Sequence, residues 1–173
     1  MENDKIQQCL VIIKPDGLVK SITGDIIMAL SATKLKIVGA KIVKMTREHA
    51  EKHYSDLKQR KSQEIFEGTM AYITGKYHTD RVFALVYEGE NAIEKIREVC
   101  GPTNPEEAHP TSIRGRYGRI HSKTGVYENV IHASDSPESA EKEIKLWFAP
   151  DELVNSIYPV KEEKTQVVRR VWK

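Results

Sequence analysis

His132 closes an aliphatic run, Asn129-Val130-Ile131-His132, and within four residues the chain reaches Ser136-Pro137-Glu138. Ser before Pro with an acid in the next position is a strong helix start. A helix N-terminus offers unpaired N–H groups and the positive end of the helix dipole, so it suits an anion close to that imidazole. Lys14 is placed in the same way: Leu10, Val11, Ile12 and Ile13 read as a buried strand, Lys14 ends it, and Pro15-Asp16-Gly17 turns the chain. A third group lies between Gly101 and Glu128, where Thr103, Arg114, Arg116, Arg119 and Lys123 are interleaved with Gly101, Gly115, Gly118 and Gly125. Guanidinium forks match phosphate oxygens. Together the three groups bring an imidazole close to a helix N-terminus, an ammonium at a strand end and a loop rich in anion-binding side chains. Taken singly, each has an ordinary explanation: a histidine satisfied by a carbonyl, a solvated strand end and a basic surface loop.

Other phosphate and metal chemistries are not written in the chain. There is no GxxxxGK[ST] loop, and GRYG at 115–118 is not a dinucleotide fingerprint. His49 and His53 are spaced i, i+4 but lack the glutamate of a zinc-protease helix, and are expected on that helix's exposed face. The cysteines Cys9 and Cys100 form neither a CxxC pair nor a disulfide framework, which suits a reducing cytoplasm. A net charge of +2 forces neither a nucleic-acid nor a membrane reading, and no apolar run reaches transmembrane length. The polar first residues, Met-Glu-Asn-Asp-Lys, do not read as a signal peptide. The expectation is a cytoplasmic protein.

The elements that must position these groups follow from periodicity. Strands are expected at Cys9–Lys14, Lys36–Met45, Arg81–Tyr87 and Asn129–His132. Helices are expected at Gly24–Thr33, Glu48–Lys58, Gln63–Thr74, Asn91–Val99 and from Pro137 to about Phe148. The order β-α-β-α-α-β-α-loop-β-α is that of an α/β (α+β) sandwich, a ferredoxin-like, mainly antiparallel four-stranded sheet covered by helices. At 173 residues the chain suits one compact domain, here expected over 1–158, with 159–173 as a charged C-terminal extension.

Five blocks, KPDG at 14–17, HYSDL at 53–57, YEGENAI at 87–93, GPTNPEEAHPTSIRG at 101–115 and NVIHASDSPESAEKEI at 129–144, resemble the nucleoside diphosphate kinase family. They stand in that family's order over roughly residues 9–154. The resemblance implies a ping-pong transfer of the γ-phosphoryl group from a nucleoside triphosphate to a nucleoside diphosphate. His132 matches the nucleophile that becomes phosphohistidine, and Lys14 the lysine at the phosphates. Tyr54 matches the tyrosine near both. Arg97, Thr103 and Arg114 match the residues gripping the phosphates, and Asn129 the one at the sugar. Ser134 and Glu143 match residues that orient the imidazole. Asp135 matches the acid near the magnesium ion, which is carried with the nucleotide and needs no dedicated protein metal site. Pro105 falls in a loop that packs against neighbouring subunits, which implies a homo-oligomer, hexamer or tetramer built on a dimer.

The chain also departs from the family pattern. Ala133 follows the histidine where glycine is usual, and Thr111 and Arg116 flank the SIRG block in place of a glycine and an acid. The segments 58–66 and 119–128 are extended, and Ile65, with Phe66 beside it, stands where an aromatic is expected on the nucleobase. Two other readings compete with the enzyme: a nucleic-acid-binding sheet, and a relative that lost catalysis and serves as a scaffold. The first lacks an RNP-like aromatic pair. The second should have lost its histidine or lysine, and both are present.

Overall fold

The structure, a computed structural model, describes residues 6–164 and residue 172. Its elements are β1 (Ile6–Ile13), α1 (Pro15–Val19), α2 (Thr23–Ser31), β2 (Lys36–Lys44), α3 (Arg47–His53), α4 (Ser55–Arg60), α5 (Gln63–Ile73), β3 (Arg81–Glu90), α6 (Ala92–Cys100), α7 (Ile113–Tyr117), β4 (Arg119–Ile120), β5 (Tyr127–Glu128), β6 (Ile131–Ala133) and α8 (Pro137–Trp147). The main sheet has the order β2-β3-β1-β6 with every neighbouring pair antiparallel. This is the expected ferredoxin-like sandwich.

β1 is buried from Gln8 to Ile13 because both faces of the sheet are covered. Cys9, Val11 and Ile13 enter one core with Ile26, Leu30 and Ile96, while Leu10 and Ile12 enter a second with Phe66, Met70, Ile144 and Trp147. A strand covered on both faces reads as a continuous apolar run. Fully burying one such aliphatic side chain is worth about 1.5–3 kcal/mol, so the two cores fix β1 as the centre of the fold. α8 begins as its sequence dictates, with the Ser136 hydroxyl accepting the N–H of Ser139 and Pro137 in the first turn.

Several local expectations give way to tertiary packing. Pro15-Asp16-Gly17 opens a short helix rather than a turn, with Lys14 as its extended N-cap. The helix expected over Glu48–Lys58 is two helices, broken at Tyr54. The long loop from Gly101 to Glu128 contains α7, capped by the Ser112 hydroxyl, and a hairpin of β4 and β5. Gly115 lies in α7 where a Cβ would stand 2.1 Å from the His109 carbonyl oxygen, so no side chain fits. The histidine strand starts at Ile131 rather than Asn129, because Val130 takes φ +57°. β3 runs on to Glu90. His49 and His53 do not lie on an open helix face; both rings pack edge-on against Trp147.

After α8 the chain folds back along the sheet edge, where the Val154 N–H donates to the Val38 carbonyl and Tyr158 packs on the second core. Of the expected extension 159–173, residues 159–164 are exposed, and 165–171 and 173 lie outside the described residues. No helix among the described residues is long and apolar enough to cross a membrane.

Candidate active site

The pairing of β1 with β6 places Ile12 opposite His132 and Ile13 opposite Ile131. Lys14 therefore leaves the sheet beside the histidine strand, and its backbone N–H donates to the Val130 carbonyl at 2.8 Å. Because side chains alternate along a strand, His132 points to the same face as Ile12, toward α3 and α8, while Ile131 and Ala133 enter the opposite core.

His132 keeps 19% of its side chain exposed, and its Nε2 stands 3.1 Å from Oε1 of Glu143. That approach is close but out of line for a hydrogen bond. The other oxygen of Glu143 accepts the Ser134 hydroxyl at 2.6 Å, and the Ser134 oxygen accepts the Leu10 N–H at 3.1 Å. Ser134 is fully buried, so a chain of bonds running back into β1 aims the Glu143 carboxylate at the imidazole.

Lys14 Nζ donates to Asn129 Oδ1 at 2.7 Å, and the Asn129 amide donates to the Thr103 carbonyl at 2.7 Å. Burial, followed by the Arg114 charge, pulls the Lys14 pKa down to about 8, with Asp16 opposing the shift. Arg114 is buried as well. It donates to the carbonyls of Gly101 at 2.6 Å and Ile131 at 3.1 Å, and its Nε has no partner among the described residues. Burial is the main cause that lowers its pKa, and a guanidinium keeps its charge in such sites. Lys14 and Arg114 are buried cations with no ion-pair partner among the described residues, although the Asp16 charge acts on Lys14, and together they amount to a prepared anion site. Tyr54 follows His53 at the break between α3 and α4, and burial with the Glu143 charge pushes its phenol up, so it stays a neutral hydroxyl.

The outer residues are placed differently. Arg97 on α6 is exposed and borders, with Asp135, Glu94, Gln7 and Pro137, a cleft of about 490 Å³ that does not include His132 in its wall. The Asp135 carboxyl is held below its usual range by the Ser139 hydroxyl and then by Arg97. The Thr103 side chain is exposed, and Pro105 is buried. Ile65 is 51% exposed on the first turn of α5, whereas Phe66 is 1% exposed and belongs to the core. The structure thus forms two bonded groups, Lys14 with Asn129 and the Thr103 backbone, and Ser134 with Glu143 and His132, while Arg114 is tied to the carbonyl of Ile131 beside His132 and Arg97 acts on Asp135. It shows no such link from Ile65.

Sequence reasoning missed the support beneath this cluster. Asp16, fully buried, accepts the Tyr72 hydroxyl on one oxygen and the Val130 N–H at 3.2 Å on the other. Val130 is β-branched and left-handed, a conformation costing about 1–3 kcal/mol that survives only when its surroundings enforce it. Asp16 and the Lys14 N–H enforce it here, and the resulting kink turns Asn129 toward Lys14 while Ile131 continues into the sheet. Gly17 permits the close approach, since a Cβ there would stand 3.2 Å from the Val130 carbonyl oxygen and 2.9 Å from Ile13. The KPDG block did not single this out, because Pro-Asp-Gly is equally an ordinary turn sequence.

The family model described as nucleoside diphosphate kinase matches residues 7–153. A nucleoside diphosphate kinase of Staphylococcus carnosus is 42% identical over 92% of this chain and 97% of that protein. One from Thermococcus kodakarensis is 44% identical over 88% of this chain and 83% of that protein. Among solved structures, a transition-state mimic of the nucleoside-diphosphate kinase from Borrelia burgdorferi with bound vanadate and ADP aligns with a TM-score of 0.78 at 34% identity, covering 88% of this chain and 93% of that one. The Aquifex aeolicus enzyme aligns at 0.74 and 35%, covering 87% of this chain and all of that one. With a prepared anion site beside a carboxylate-aimed histidine and this similarity over most of its length, the chain belongs to the nucleoside diphosphate kinase family.

Proposed function

We propose that this phosphotransferase works by a ping-pong mechanism through a phosphohistidine on His132. The observation that carries the reading is the Glu143 carboxylate, pinned by Ser134 and facing Nε2 of His132. A carboxylate there favours the tautomer with its proton on Nε2, which leaves the Nδ1 lone pair free. The out-of-line contact is typical of a site that tightens when substrate binds. Nδ1 attacks the γ-phosphorus of a nucleoside triphosphate, the Nδ1–P bond forms, and the bond from phosphorus to the bridging oxygen breaks. The electron pair leaves with the nucleoside diphosphate. A second diphosphate then attacks the phosphohistidine in the reverse sense, restoring the free imidazole.

Lys14 and Arg114 supply charge where it develops on the transferring group and need no reorganisation to do so. Tyr54 stays neutral beside them as a hydroxyl donor. Arg97 and Thr103 hold the more remote phosphates, and Asn129, already bonded to Lys14, meets the sugar. Ile65 offers the base only an apolar surface, so broad base tolerance is expected. Magnesium would supply charge neutralisation between the phosphates when it arrives with the nucleotide. Asp135, a single exposed carboxylate held ionised, fits an ion that brings most of its ligands with it. The vanadate and ADP of the Borrelia relative support the same substrate class. A homo-oligomer built on a dimer and a cytoplasmic location complete the reading, the latter supported by two buried free cysteines.

The test is incubation with γ-labelled ATP. The label should be acid-labile, alkali-stable and discharged by added diphosphate. An unlabelled but active enzyme would overturn the covalent mechanism.

A further inference from the structure

His53 has no part in the transfer just described, yet it is built against the nucleophile. Its ring meets that of His132 edge to face, with centroids 4.5 Å apart and planes at 79°. On its other side the Trp147 indole N–H lies 3.1 Å from His53 Nδ1. An indole only donates, so Nδ1 must accept, and a neutral His53 then carries its proton on Nε2. That Nε2 is out of solvent and has no partner among the described residues. Trp147 is in turn held by the edge of the His49 ring, with centroids 4.5 Å apart.

Two uses of this arrangement can be separated. His53, His132 and Glu143 each offer a ligand atom, all within 4.8 Å of one another, which is metal-site spacing. A metal on Nε2 of a neutral His53 would require a proton on Nδ1, where the Trp147 N–H already points, so the indole disfavours a metal. The same bond favours a fixed, neutral ring pressed on His132. We propose that His53, oriented by Trp147, is a positioning residue that holds the His132 ring with Nε2 on Glu143, so that phosphorus meets only Nδ1. This rests on His132 being the nucleophile.

An imidazole whose χ2 is free presents either nitrogen to an incoming phosphorus. The Glu143 contact is out of line and leaves that rotation weakly restrained, whereas a ring packed edge-on blocks it sterically. Burial and the charges facing His53 keep it neutral. Burial comes first, then His132 on β6, Lys14 after β1, His49 on its own helix and Lys142 on α8, and all push its protonation well below the ordinary histidine range. No second cation therefore forms beside the nucleophile.

The test uses His53→Ala, His53→Phe and Trp147→Phe in the full chain. His53→Ala should lower kcat by about 10–100-fold, the range typical of residues that orient a reacting ligand, with KM within about twofold. Phosphorus NMR of the phosphoenzyme, denatured in alkali, should show Nδ1-phosphohistidine alone in the wild type and a mixture with the Nε2 isomer in His53→Ala. His53→Phe keeps the blocking edge and should restore the single isomer, and it carries the same readouts if His53→Ala melts early. Trp147→Phe should give an intermediate loss and a shifted acid limb of the kcat profile as His53 is freed to protonate. Wild-type kcat with a single isomer in His53→Ala, or a rise in KM alone, would overturn the positioning role while leaving the His132 mechanism intact. Label that persists in His132→Gln would instead show that the underlying reading had failed.

Discussion

Lys14, Arg114, Asn129 and Ser134 are 9%, 6%, 1% and 0% exposed, and each donates to a named partner in the fold. Arg97, Thr103 and Ile65, expected to meet the same nucleotide, are all exposed. The inner group is assembled before any substrate arrives: Lys14, Asn129 and Ser134 flank β1 and β6, which are locked between two cores, and Arg114 on α7 is tied to the Ile131 carbonyl of β6. The outer group stands on helices and a loop. Charge that develops during a reaction is best met by groups that do not have to move. Binding of the remote phosphates beneath varied bases tolerates looser contacts. On the proposed mechanism the protein is buried and hydrogen-bonded where bonds change and exposed where the remote phosphates and the base would bind.

The sharpest way to break this contrast is at its centre. His132→Gln should reduce turnover by about 10³-fold or more and abolish labelling with γ-labelled ATP, because no neighbour can replace a covalent nucleophile. Labelling of that variant above a few per cent would move the reaction elsewhere.

Next come the inner cations against the outer one. Lys14→Ala and Arg114→Ala should each lower kcat by about 10²–10³-fold, in the range of lost transition-state donors. Arg97→Ala and Thr103→Ala should act mostly on KM. Steady-state kinetics on all four variants would decide the matter, and similar kcat losses in both pairs would erase the distinction between inner and outer residues.

A third measurement uses pH. Lys14 in the free protein loses its proton near pH 8, so kcat/KM should fall above that pH, and Lys14→Arg, although less active, should lack that limb. Stability moves in the opposite sense. The folded pKa lies below that of the unfolded chain, so between about pH 8 and 10 the unfolded state holds more protons and stability rises with pH. Urea melts of wild type and Lys14→Met across that window should diverge, and parallel curves would mean that Lys14 is less perturbed than its burial implies.

The smallest effect is expected at the rim. Ile65→Phe should tighten ADP and GDP together by about 0.5–1.5 kcal/mol, since stacking is open to any base. Phe66→Ala removes a core aromatic and should cost about 3–5 kcal/mol of stability, with little change in base binding by the folded protein. Calorimetric titration with the two diphosphates checks both. No change in Ile65→Phe would place the base against another part of the pocket.

Much of the framework that carries this site is legible in the sequence, because its signals are local. Ser136-Pro137 starts α8 through contacts spanning three residues, and the aliphatic runs before Lys14 and around Ile131 mark strands of any fold that buries them. What packing decided lies in contacts between distant segments. Asp16 holds Val130 across 114 residues and thereby sets where β6 begins. The i, i+4 spacing of His49 and His53 names a shared helix face but not the direction that face points, and Trp147, 94 residues beyond His53, turns it inward. The hairpin inside the long loop is drawn in by Glu128, buried between His78 and Arg119. Capping and periodicity are properties of neighbouring residues. The facing of a helix, the burial of a charge and the strain at Val130 depend on what the rest of the chain brings against them.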